Sequence, residues 1–127
     1  MKQRIETGGA PQAIGPYSQG IAAAGWIYTA GQIGLDPASG ELVEGLEAQS
    51  KRALANVGAI LAAAGCSWAD VVKTTVYLAD LGDFAAFNAI YAGIVAEPFP
   101  ARSTIQAAAL PKGAMVEIDA IAFRPDR

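Results

Sequence analysis

Two side chains stand where their chemistry is unfavourable unless something uses it. Glu117 lies inside MVEIDAIAF, an otherwise apolar run, and an unpaired carboxylate there needs water in a cleft or a partner. Such surroundings move its proton affinity toward neutrality and fit it to act as a general base on water; exposure on an edge strand is the competing explanation. Asp119, two residues on, has the same choice. Arg102 follows Phe99-Pro100-Ala101 at the mouth of a strand-like run and is one of five arginines. Its planar fork can grip a carboxylate through two parallel hydrogen bonds, or serve as a surface group or structural ion pair.

Other candidates surround these. Tyr17 sits in GPYSQG, where glycine and proline hold a turn and an aromatic hydroxyl can close over a small ligand, or simply pack. Gly31 and Gly34 in AGQIG allow the backbone to approach a ligand closely, although this spacing without a following lysine is a weak phosphate signal. Asn88 projects from a predicted helix and reads as a solvent-facing amide. Cys66 follows a helix-ending glycine with no basic neighbour, so it reads as inert packing. Asp36, Glu41, Glu44 and Glu47 precede or open a helix, and their spacing fits no calcium loop, so they read as solvated.

The absent chemistry is as informative. With no histidine and a single cysteine in 127 residues, Ser-His-Asp and Cys-His triads, imidazole catalysis, His-containing metal sites and intrachain disulfides are all excluded. No metal is expected. One cysteine fits a reducing cytosol, and a cytoplasmic location is expected. The net charge of −3, with nine Lys and Arg scattered singly or in pairs, offers no basic stripe, so no nucleic-acid partner is expected. The opening MKQRIETGG is polar, and no apolar run reaches the roughly 18 residues of a membrane span.

The elements that must position these groups follow from periodicity. Hydrophobic residues make up 53% of the chain, enough for the core of one domain spanning 1–127. A short strand and turns occupy the first 20 residues. Runs at 21–24 and 26–30 meet at Gly25 as a hairpin, and DPASGE is a turn. From Glu44, Leu46, Ala53, Leu54, Val57, Ile60, Leu61 and Ala64 recur at helical spacing, with Glu47, Lys51, Arg52 and Asn56 mostly opposite and Gly65 as the stop. VVKTTVYL (71–78) reads as a buried strand with Val72, Val76 and Leu78 on one face. Asp83 is the expected cap of a second helix carrying Phe84, Phe87, Ile90, Tyr91 and Ile94 inward until Pro98. Runs at 102–108 and 115–123 read as a final strand pair across LPKGA, of hairpin-compatible length.

This order gives an α/β (α+β) sandwich, two helices on one face of a mixed sheet. In the last strand Val116, Ile118, Ala120 and Ala122 alternate toward the helices, leaving Met115, Glu117, Asp119, Ile121 and Phe123 on the other side. So apolar a second face is expected to be buried against copies of the same chain.

The run PARSTIQAAALPKGAMVEI (100–118), together with IGPYSQG, TAGQIG and DPASGE in order, resembles the signature segments of the RidA/YjgF/UK114 family over essentially the whole chain. The resemblance implies a chorismate-mutase-like fold assembled as a homotrimer with clefts between subunits. It implies an enamine/imine deaminase that converts 2-iminopropanoate or 2-iminobutanoate to 2-oxo acids and ammonia without a cofactor. It places the carboxylate-binding arginine on Arg102, the water-activating glutamate on Glu117, the cleft tyrosine on Tyr17 and backbone contacts on Gly31 and Thr104; Asn88 is carried as a further substrate contact. Ala30 stands where many relatives have serine and Thr104 where several have cysteine, which reshapes one wall. The alternative reading is a non-catalytic trimer that binds a 2-oxo acid or a protein. Ribonuclease activity, attached to some relatives, fits poorly with net acidity and the missing histidine.

Overall fold

Alternation and helical spacing resolve into eight regular elements, with residues 1–125 described in the computed structural model. In chain order they are β1 (Gln3–Ile5), β2 (Gly20–Ala23), β3 (Trp26–Thr29), α1 (Leu46–Ala63), β4 (Val71–Leu78), α2 (Phe84–Ala92), β5 (Ala101–Gln106) and β6 (Val116–Phe123). Ala24 and Gly25, both at positive φ (50° and 88°), make the two-residue turn that joins β2 to β3. Gly65, at φ +78°, follows the end of α1 as expected.

The six strands form one mixed sheet in the order β1-β2-β3-β6-β4-β5. Strands β5 and β6 are therefore not a hairpin. β4 lies between them, antiparallel to β6 and parallel to β5. The reason lies in the connection: α2 intervenes between β4 and β5, and a helical crossover is how parallel neighbours are joined. This arrangement also puts β6 in the middle of the sheet, which removes edge exposure as the explanation for Glu117.

Both helices cover one face. Leu54, Val57, Ile60 and Leu61 of α1, Phe87 of α2, Val76 and Leu78 of β4 and Val116 and Ile118 of β6 are all fully buried there, each worth about 1.5–3 kcal/mol over exposure. Asn56 departs from the amphipathic reading: it is buried inside that face, donating to the carbonyls of Ile33 (3.2 Å) and Leu35 (2.9 Å) and accepting from Arg52 Nε (3.0 Å). A buried amide is tolerated when its hydrogen bonds are made. Val72 also departs, being exposed because a register irregularity between Val71 and Lys73 resets the alternation, so Val71 and Thr74 face inward instead. Asp83 occupies the cap position of α2 but makes no capping hydrogen bond; Asp80 caps the preceding turn through Gly82 N–H (2.8 Å). Helix α2 ends at Ala92, and Phe84 and Ile94 are partly exposed rather than inward.

The opposite sheet face carries Trp26, Tyr28, Ile105 and Phe123, all substantially exposed.

Candidate active site

Register decides which of the candidate residues meet. Residues paired side by side on neighbouring strands share a face. Thr74 pairs with both Arg102 and Ala120, and Val76 with both Thr104 and Ile118, so Arg102 and Thr104 lie on the helix side at the sheet's edge. Tyr77 pairs with Glu117 and with Ile105, so Glu117 lies on the open side. Within one chain, Arg102 and Glu117 therefore point to opposite faces.

On the helix side, β5 presents Arg102 to α2. Its guanidinium carbon lies 4.8 Å from the Tyr91 ring centroid and 5.5 Å from that of Phe84. Among the described residues it makes no salt bridge. Asn88, one turn from both aromatics on α2, is not the solvent-facing amide expected: its Oδ1 is buried without a hydrogen-bond partner, and so is Thr104 Oγ1. Two buried oxygens without partners and a cation without a salt bridge thus belong to β5 and the helix that covers it.

On the open side, Glu117 meets Gly31, Tyr17 and Lys112 around a cavity of about 210 Å³. This is below the roughly 300 Å³ where drug-sized pockets begin and suits a metabolite of a few carbons. The segment beyond β3 is pinned to β6 by reciprocal backbone hydrogen bonds between Gln32 and Ile118 (2.8 and 3.0 Å). That brings Gly31 so close to Glu117 that a Cβ on residue 31 would overlap the carboxylate. Gly34 serves packing instead, since a Cβ there would come within 2.6 Å of Gln49 Cα; its absence lets the segment lie against α1. Tyr17, 54% exposed, stands at the rim.

Burial is the main cause that pushes the Glu117 carboxyl above its ordinary value, and the negative charge of Asp119 adds to it. Burial likewise raises Asp119, against an opposing pull from Lys73. A carboxylate held this way takes a proton from water more readily than an exposed one.

Likeness to known proteins is strong over this whole framework. A sequence-family model described as Endoribonuclease L-PSP matches residues 7–124. A goat (Capra hircus) protein named 2-iminobutanoate/2-iminopropanoate deaminase is 53% identical over 125 residues, 98% of this chain and 91% of the relative. The solved structure of RidA from an Antarctic Psychrobacter is 47% identical with a TM-score of 0.94, covering 96% of this chain and 99% of that one. This chain belongs to the RidA/YjgF family. A further family structure, E. coli TdcF with bound serine, is 43% identical with a TM-score of 0.91, covering 96% of this chain and 98% of that one.

Several residues that shape the surroundings of Tyr17 and Glu117 were not visible as such in the sequence. Gln19 is buried and staples the loop leading to Tyr17: its Nε2 donates to the carbonyls of Thr7 (3.0 Å), Ala10 (3.2 Å) and Pro11 (2.8 Å), while its Oε1 accepts from Thr7 N–H (2.7 Å). Gln49 of α1 accepts from Met115 N–H (2.8 Å) and so sets the start of β6. Lys112, in LPKGA, adopts φ 57° and lines the Glu117 cavity. No local pattern marks a glutamine as buried. Cys66 is buried, in line with a packing role. Among the described residues no cluster of three or more His, Cys, Asp or Glu is placed to hold a metal, and no helix is long and apolar enough to cross a membrane.

Proposed function

We propose that this chain, acting as one domain over residues 1–127, is an enamine/imine deaminase of the cytoplasm. It hydrolyses reactive 2-imino acids such as 2-iminopropanoate and 2-iminobutanoate to 2-oxo acids and ammonia. Relatives bearing the deaminase name at 51–53% identity support this. The observation that carries it is the division of the site: an unpaired arginine with orphaned acceptors on one sheet face, a half-buried proton-seeking carboxylate with a small cavity on the other. Each half lacks what the other has.

The two halves meet, in this reading, across the seam of a chorismate-mutase-like homotrimer that buries the exposed Trp26, Tyr28, Ile105 and Phe123. Arg102 of one copy holds the substrate carboxylate through its fork, with Asn88 and Thr104 beside it. Glu117 of the next copy orients water and takes its proton as the C–O bond forms at the imine carbon. Glu117 then returns that proton to the carbinolamine nitrogen and takes the one on the hydroxyl as the C=O bond forms and the C–N bond breaks, and ammonia leaves. Backbone groups at Gly31 and Thr104 steady the oxygen and Tyr17 shields the cleft. The imine carbon is already electrophilic, so the mechanism calls on no cofactor.

The deciding experiment mixes two disabled variants. Arg102→Ala and Glu117→Gln each lose acceleration of oxo-acid formation from 2-iminobutanoate generated in a coupled reaction. Co-expressed and co-purified, they regain part of the wild-type rate, because some seams of a mixed oligomer carry both native residues. Mixtures that stay inactive overturn the cross-copy site. Wild-type protein that binds 2-oxobutanoate without accelerating its formation is instead the ligand-binding regulator.

A further inference from the structure

An arginine that must hold a small anion has a problem of its own: its long side chain has many rotamers, and ordering it on binding costs free energy. Arg102 is held before any ligand arrives. One wall is Tyr91, its ring 4.8 Å from the guanidinium carbon, and the other contact is Phe84 at 5.5 Å. Tyr91 itself is fixed. It is 5% exposed, packs against Phe87 with ring centroids 5.7 Å apart, and shares a buried 2.7 Å hydrogen bond between its hydroxyl and Thr74 Oγ1. Thr74 is fully buried and is the register partner of Arg102 on the neighbouring strand. The lock and the residue it serves thus sit side by side on a rigid sheet.

We infer that Tyr91, locked by Thr74, is a positioning residue that with Phe84 forms an aromatic slot for the Arg102 guanidinium, so that its fork is set for a carboxylate before substrate binds. The inference rests on the reading of Arg102 as the carboxylate anchor. A cation–π contact suits this role because an aromatic ring offers no carboxylate oxygens to take up the N–H donors, whereas a carboxylate partner would occupy them. Burial pushes the Tyr91 hydroxyl above its ordinary value, so it stays neutral and keeps its bond to Thr74.

The test separates affinity from chemistry. In full-length protein, Tyr91→Leu is expected to raise KM for 2-iminobutanoate and the Kd of 2-oxobutanoate about tenfold with kcat within about twofold, since the loss lies in holding the anion. Tyr91→Phe keeps the ring and costs about threefold. Phe84→Leu, at a partly exposed position, also raises both constants about threefold and decides the matter if Tyr91→Leu does not fold. Unchanged KM and Kd in folded Tyr91→Leu, or in Phe84→Leu where the former fails to fold, overturn the slot. So does a fall confined to kcat. Arg102→Lys is the control: if it keeps wild-type KM and kcat, the anchor reading itself fails. If it loses activity while the aromatic variants do not, only the slot fails.

Discussion

The two faces of the sheet solve opposite electrostatic problems. On the helix side, Arg102 has no salt-bridge partner among the described residues and lies instead against the rings of Tyr91 and Phe84. On the open side, Glu117 sits on the central strand β6, where burial and the charge of Asp119 both work against its ionised form. The first arrangement preserves a charge for binding. The second makes a charge reluctant, which is what a base needs if it is to take a proton from water. A permanent cation needs only geometry, whereas a carboxylate must have its proton affinity changed.

Replacing the reluctant group should break this contrast most strongly. Glu117→Gln is expected to lower kcat about 10²–10⁴-fold, the usual contribution of a positioned general base, while 2-oxobutanoate binding stays within about threefold in titration calorimetry. The same variant should resist heat better at neutral pH. A carboxyl raised in the folded state contributes stability that is complete below its ordinary value of 4.5 and is lost as pH rises through the folded-state value. Glutamine removes that loss, so the melting temperature of the variant falls less than the wild type's between pH 4.5 and 7. A parallel decline in the two proteins would show that Glu117 is not strained by its surroundings.

Gly31→Ala tests the close approach on the open side alone. The new methyl displaces the carboxylate, and kcat/KM should fall about tenfold; an unaltered rate would mean that Glu117 need not sit where Gly31 permits it. The smallest effect is expected from Asp119→Asn. Removing that neighbouring charge lowers the Glu117 proton affinity, so the acid limb of the kcat/KM profile moves to lower pH while the plateau stays within about twofold. An unmoved limb would leave burial as the sole influence on Glu117.

Much of this arrangement is legible along the chain. The alternation in VEIDAIAF assigns Glu117 and Asp119 to the face opposite the helices, and the burial of β6 follows that division. The periodicity of 46–64 marks α1, though it misplaces Asn56, because an amide looks the same in sequence whether it meets water or two carbonyls. The pairing of β5 differs from the expected hairpin although a signal for it exists: strand, helix, strand is the pattern of a parallel crossover, and α2 stands between β4 and β5. The orphaned Oδ1 of Asn88, the lock between Thr74 and Tyr91, and the staple made by Gln19 have no local signature.

By itself, the order of residues determined which groups are available, which elements they ride on and which side of a strand each one takes where the register runs unbroken, because backbone geometry fixes side-chain direction over a few residues. Tertiary structure alone decided that β6 is central, that β5 is an edge beside β4, and that Arg102 and Glu117 face away from each other. Those outcomes depend on burying apolar surface contributed by segments far apart in the chain, a condition that no short stretch of sequence can express.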